Sequence, residues 1–106
     1  MSEQLVLELE VLNGPLDGAI ISLQSETDWT SAADGLLAFP WDEELGQPQA
    51  RFRPGEAGWS LEGLETLHGT YLIGQDGAEK IMGFCELGEG NVLKASSTWL
   101  FIRRIG

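Results

Sequence analysis

Leu5-Val6-Leu7-Glu8-Leu9-Glu10-Val11 places Leu5, Leu7, Leu9 and Val11 on one face of an extended chain and Glu8 and Glu10 on the other. That repeat of two is the pattern of a half-buried strand and not of a helix. Asn13-Gly14-Pro15 ends the run, and Asp17-Gly18 is a tight-turn pair ahead of a second apolar stretch, Ala19-Ile20-Ile21-Ser22-Leu23. The spacing predicts a hairpin.

Outward from this hairpin the same reading recurs. Short strands are predicted at residues 36–39, 50–53, 59–61, 70–73, 80–82, 92–95 and 98–105. Between them lie Pro40, Gly46, Pro48, Pro54-Gly55, Gly63, Asp76-Gly77, Gly88 and Gly90. With 14 Gly and 4 Pro in 106 residues, no long helical stripe survives uninterrupted. The best helical stretch, residues 31–37, is short and contains Gly35. Many short strands separated by turn residues predict an all-β, antiparallel sandwich formed by one domain spanning residues 1–106.

Composition narrows the function classes. Six Lys and Arg against 17 Asp and Glu give a net charge of −11. Nucleic acids and anionic membranes are read by clustered cations, so neither is expected as a partner. Residues 1–50 carry ten carboxylates and no Lys or Arg, a net −10, whereas residues 51–106 carry −1. Asp42-Glu43-Glu44 is the densest acidic run; it lacks the alternating spacing and turn glycine of a calcium loop. No apolar run approaches the ~20 residues of a membrane helix, and the opening MSEQ has no leader character, so a soluble cytoplasmic setting is expected.

Reactive constellations are scarce. One histidine, His68, would have to serve any Ser-His-Asp triad, and no serine sits in a strand-turn-helix elbow. Cys85 is the single cysteine, without a neighbouring base, and reads as a packed thiol. No cofactor and no metal are expected, and the enzyme class finds no nucleophile and base to rest on. Gly88-Glu89-Gly90-Asn91 lacks the lysine and following helix of a phosphate loop. Trp59 and Trp99 lie on predicted strands and read as packing residues; Trp29 and Trp41 fall in polar segments, where a tryptophan is either a plug or an interface anchor.

The second half carries a further pattern. Gly58-Trp59-Ser60-Leu61-Glu62-Gly63-Leu64-Glu65-Thr66-Leu67-His68-Gly69-Thr70-Tyr71-Leu72-Ile73-Gly74 resembles the signature of forkhead-associated (FHA) domains. Leu87-Gly88-Glu89-Gly90-Asn91-Val92-Leu93 and Thr98-Trp99-Leu100-Phe101-Ile102-Arg103 are similar to that family's later turn and closing strand. Ala50-Arg51-Phe52 and Leu12-Asn13-Gly14-Pro15 resemble earlier segments, in the right order. The resemblance implies an FHA-type β-sandwich of about eleven short strands. It also implies a phosphothreonine-peptide module whose key residues have changed. In the resemblance the phosphate-binding Arg falls at Thr30-Ser31, the phosphate-binding Ser at Gly46, the supporting His at Gln49, the backbone-holding Asn at His68, and the Asp that precedes the Leu at Gly63. Losing a guanidinium removes the strongest charge-assisted donor to a phosphate.

The expected function is therefore a non-catalytic protein–protein interaction module, docking its partner independently of phosphothreonine. The expected contact residues are Trp41, Asp42, Glu43, Glu44, Gly46, Gln49, Thr66, His68 and Thr70. His68 carries two readings: a loop residue bonding backbone groups, or a partner contact. Thr70 is expected to brace the loop. The acidic half points to a basic protein partner, and the resemblance to a secretion-system or regulatory component. The alternative is a phosphopeptide reader that uses Arg51, Arg53 or His68 in place of the missing arginine, with Ser31→Arg and Gly46→Ser as the changes that would restore the lost donors.

Overall fold

The N-terminal alternating run becomes strand β1 (Leu7–Val11), and its apolar positions are the buried ones. The computed structural model describes residues 5–56 and 58–106; residues 1–4, read above as lacking a leader, lie outside them. After a 3-10 turn at Gly14–Leu16 the chain returns as β2 (Ile20–Leu23), pairing Leu7 with Leu23 as the hairpin spacing requires. Nine strands follow: β3 (Thr27–Thr30), β4 (Leu37–Ala38), β5 (Ala50–Pro54), β6 (Trp59–Gly63), β7 (Thr70–Gly74), β8 (Gly77–Lys80), β9 (Gly83–Glu86), β10 (Val92–Ala95) and β11 (Thr98–Ile105).

Two sheets form the sandwich. One has the order β2-β1-β11-β10-β7-β8 and the other β4-β3-β5-β6-β9. Among the described residues every pairing is antiparallel except β3 with β4, so the expected antiparallel sandwich forms with one short parallel pair. Between the sheets, Leu7, Leu9, Leu93, Leu100 and Ile102 face Trp29, Phe52, Trp59 and Leu61, all essentially inaccessible to solvent. Burying each such side chain contributes about 1.5–3 kcal/mol, which is the main force holding the layers together. Trp29 packs on Phe52 with ring centroids 6.2 Å apart, so it is a core residue and not an interface anchor.

Three expectations shift. Residues 31–37 are not helical: the Ser31 N–H and hydroxyl are drawn to the Gly46 and Leu45 carbonyls, and Gly35 has φ +129°. The strand predicted at residues 80–82 splits, because Ile81 leaves the sheet surface to bury its side chain where the chain crosses from β8 to β9. Gly63 permits that crossing, since a Cβ there would overlap the Ile81 carbonyl. Strands β3 and β9 are too polar and too short in apolar pattern to stand out in the sequence.

Candidate functional site

The register brings five connections to one end of the sandwich. Thr30 ends β3, Ala50 pairs with Gly63, Ala95 pairs with both Thr70 and Thr98, and Val11 pairs with Leu100. The segments at residues 12–18, 31–36, 39–49, 64–69 and 96–97 therefore converge.

Gln49 ties this end together from inside. It is 1% exposed. Its Oε1 accepts from the Gly46 N–H (2.7 Å), and its Nε2 donates among Thr66 Oγ1 (2.9 Å), Thr70 Oγ1 (2.9 Å) and the Gly69 carbonyl (3.0 Å). Thr66 Oγ1 also accepts from the Gly69 N–H at 3.1 Å. The loops at residues 39–49 and 64–69 are thus held by one buried amide, whose polar atoms are all engaged as buried groups require. Thr70 braces the loop from inside, as expected of it, and Gln49 does the same; neither reaches the surface as a partner contact would. Gly46 is only partly accessible, and a Cβ there would lie 2.6 Å from Thr66 Cγ2 and 2.9 Å from the Pro48 carbonyl, so it has no room for a side chain.

Asp42 also turns inward. It is 5% exposed and accepts from the Ser96 hydroxyl (2.7 Å), the Ser97 N–H (3.1 Å) and the Thr98 hydroxyl (2.7 Å). Burial raises its pKa, but these hydrogen bonds outweigh burial and leave it below the ordinary value. The reading of Asp42 as a partner contact in a solvated acidic run is corrected: it is the clamp between the 39–49 loop and the β10–β11 turn. Its neighbours stay outside. Glu43 is exposed, and Trp41, 41% exposed, stands edge-on to Phe39 at 5.6 Å. Glu44 Oε2 lies 3.0 Å from His68 Nε2, so the histidine bonds a carboxylate 24 residues away and not the backbone. Glu44, His68, Tyr71, Lys94, Ser96 and Ser97 line a depression of about 480 Å³.

Arg51 and Arg53 lie elsewhere. On β5 they alternate with buried Ala50 and Phe52 and so face outward from the five-stranded sheet. Arg51 pairs with Asp28 at 2.7 Å, and Arg53 with Glu26 at 2.7 Å and Glu62 at 3.0 Å. Hydrogen bonding and attraction to Asp28 raise the Arg51 pKa further. As replacements for a phosphate-binding arginine both are committed to other partners. Trp99, on the outer face of the six-stranded sheet, carries Lys94 Nζ 5.5 Å above its ring.

In sequence the chain matches no family model and no curated protein. Its fold matches solved structures throughout. The FHA domain of a hypothetical protein from Arabidopsis thaliana superposes with TM-score 0.80 at 18% identity, over 100% of this chain and 90% of that one. The FHA domain of the CT664 protein from Chlamydia trachomatis gives 0.79 at 19% identity, over 93% and 97%. The FhaA FHA domain, complexed with the intracellular domain of Rv3910, gives 0.73 at 16% identity, over 92% and 99%. The chain has the FHA fold.

In this FHA-like domain, residues 12–18, 31–36, 39–49, 64–69 and 96–97 make up the loop end. Ser31 sends its hydroxyl to the Leu45 carbonyl at 2.7 Å. Sequence reading missed Leu36 and Leu67, the latter 75% exposed at the tip of the loop before β7. For Leu67 the signal was a leucine set between the polar Thr66 and His68 in a turn; Leu36 was read as part of a strand at residues 36–39.

Proposed function

We propose that this FHA-like domain is a non-catalytic, cytoplasmic interaction module that docks a basic protein partner through its 41–49 and 65–70 loops without requiring phosphothreonine. The observation that carries the reading is the state of the two positions where the resemblance puts phosphate donors. Ser31 is buried with its hydroxyl bonded to Leu45, and Gly46 cannot accept a side chain. A second support is the surface of this end, where Leu12, Leu16, Leu36, Trp41 and Leu67 are exposed beside the carboxylates of Asp34 and Glu43. Exposed apolar groups rimmed by charge suit a protein partner, which desolvates the former and is steered by the latter. Among the structurally similar domains, the FhaA domain is complexed with the intracellular domain of Rv3910, which supports a protein as the occupant.

A phosphopeptide reading through unusual residues rests on one observation: Lys94, His68, Ser96 and Ser97 share the depression beside the loop end. One part of EmbR of Mycobacterium tuberculosis, 24% of that chain, is similar in fold, and EmbR is complexed with a low-affinity phosphopeptide. Titration with matched phosphorylated and unphosphorylated threonine peptides separates the two. Equal affinities are expected; a tenfold preference for the phosphorylated set, about 1.4 kcal/mol, favours the phosphopeptide reading instead.

A further inference from the structure

Strand β9 is an edge of the five-stranded sheet, bonded to β6 on one side alone. The Leu87 N–H donates to the Trp59 carbonyl at 2.9 Å, which fixes the phase of that ladder. Bonded and non-bonded pairs alternate along an antiparallel ladder. With Leu61 opposite Cys85 and Glu62 opposite Phe84, Cys85 belongs to a bonded pair. The N–H and C=O groups of Phe84 and Glu86 therefore point away from the sheet. Among the described residues the Glu86 carbonyl is met only by the Cys85 thiol, at 3.5 Å. A row of unpaired backbone groups is a template for another strand, and proteins ordinarily blunt or cover it.

This edge is not blunted. Met82 is 80% exposed and Phe84 64% exposed, with the Arg53 guanidinium 5.7 Å from the Phe84 ring holding it in place on the outer face. Behind the edge a groove of about 320 Å³ opens between the two sheets, with Leu72, Ile81, Met82 and Cys85 in its walls. The other edges offer less: β4 has two residues, and β8 exposes Gly77, Ala78, Glu79 and Lys80, none of them large and apolar. β2 exposes one large apolar side chain, Ile20, where β9 and the residue before it expose two.

The charges at the groove choose the occupant. Glu79 and Glu86 both act on Cys85, whose thiol pKa is pushed up first by burial and then by these two carboxylates. Neither has an ion-pair partner among the described residues, whereas Arg53 already holds Glu26 and Glu62; Lys80 also lines the groove, so the two carboxylates outnumber one cation there. A second copy of this chain, at net −11, would set its own β9 carboxylates against these and is disfavoured.

We infer that the β9 edge receives an extended segment of a partner protein, alternating apolar and Lys or Arg residues, which adds a strand beyond β9. Its main chain bonds Phe84 and Glu86, its apolar side chains cover the groove over Leu72 and Cys85, and its cations, on the opposite face, lie against Glu86. This is strand addition, in which the backbone supplies affinity and alternate side chains supply selectivity. The site is separate from the loop end and does not depend on the function proposed there.

The test uses a capped heptapeptide of alternating valine and lysine, its glutamate counterpart, and the lysine peptide with alternate backbone nitrogens methylated. At physiological salt and mildly alkaline pH the lysine peptide should bind and slow alkylation of Cys85 about tenfold. The glutamate and N-methylated peptides should bind at least about tenfold more weakly. Glu86→Pro removes an outward N–H that β6 does not use, so it should weaken binding well below Glu86→Gln, which loses the same charge and keeps the N–H. Trp41→Ala should bind the peptide as the wild type does. The inference is overturned if the lysine peptide leaves Cys85 reactive, if either control peptide binds equally, or if Glu86→Pro matches Glu86→Gln. Weakened binding in Trp41→Ala would put the peptide at the loop end and overturn it as well.

Discussion

Gln49 and Asp42 show how much of the loop end rests on single side chains. Removing the Gln49 amide strands the Gly46 N–H and takes the donor from Thr70 and Gly69 in a site closed to water. Gln49→Ala should cost about 3 kcal/mol in urea unfolding, since buried polar groups left unpaired cost about 1–3 kcal/mol each. Asp42 predicts a pH dependence with a definite sign. Its folded pKa lies below the ordinary 3.8, so its contribution is whole above that value and is lost as pH falls through the lower folded one. The stability difference between wild type and Asp42→Asn should therefore be largest near neutrality and shrink below about pH 4, read from denaturant midpoints across that range. Both residues looked like surface polar groups in the sequence. Only the fold supplied their partners, in Gly69 and Thr70 for one and in Ser96, Ser97 and Thr98 for the other.

Among the elements, the 39–49 loop is the one whose shape forbids a simple return to phosphate binding. A serine at Gly46 would press its Cβ against Thr66 Cγ2 and the Pro48 carbonyl, and an arginine at Ser31 would have to leave a buried site bonded to Leu45. Gly46→Ser should destabilise by about 2 kcal/mol, as overpacking does. The double variant with Ser31→Arg should gain no measurable affinity for phosphothreonine peptides in a fluorescence titration. Strands were legible where burial alternated strictly: β1, β10 and β11 fall where the apolar pattern put them or within two residues. β8 and β9 were misplaced because Ile81, the most apolar residue between them, packs in the crossing and not in a strand.

For the whole molecule the uneven charge is the dominant long-range property. A net −10 on residues 1–50 should speed encounter with a basic partner and make it fall steeply with ionic strength. Reversing Glu43 and Glu44 together should slow association and flatten its salt dependence in stopped-flow or surface-binding kinetics. Trp41→Ala should weaken the complex by more than ~1 kcal/mol, mainly through faster dissociation, because the ring is half-exposed yet braced on Phe39. Unchanged binding in both variants would remove the loop end as the docking surface.

The sequence by itself determined the all-β class, the opening hairpin, the core strands with a clear apolar pattern and the charge asymmetry, because each is written in neighbouring residues: a repeat of two, a turn pair, a run of carboxylates. The family resemblance pointed to the loop end through Gly46, Gln49, His68 and Thr70. Which of those residues face a partner was decided by tertiary structure alone. Asp42 and Glu44 are two positions apart in one acidic run, yet one is buried under the β10–β11 turn and the other reaches His68 at the surface. The difference arises from groups more than 20 residues away in sequence, brought near by sheet pairing, and a local pattern holds no record of them.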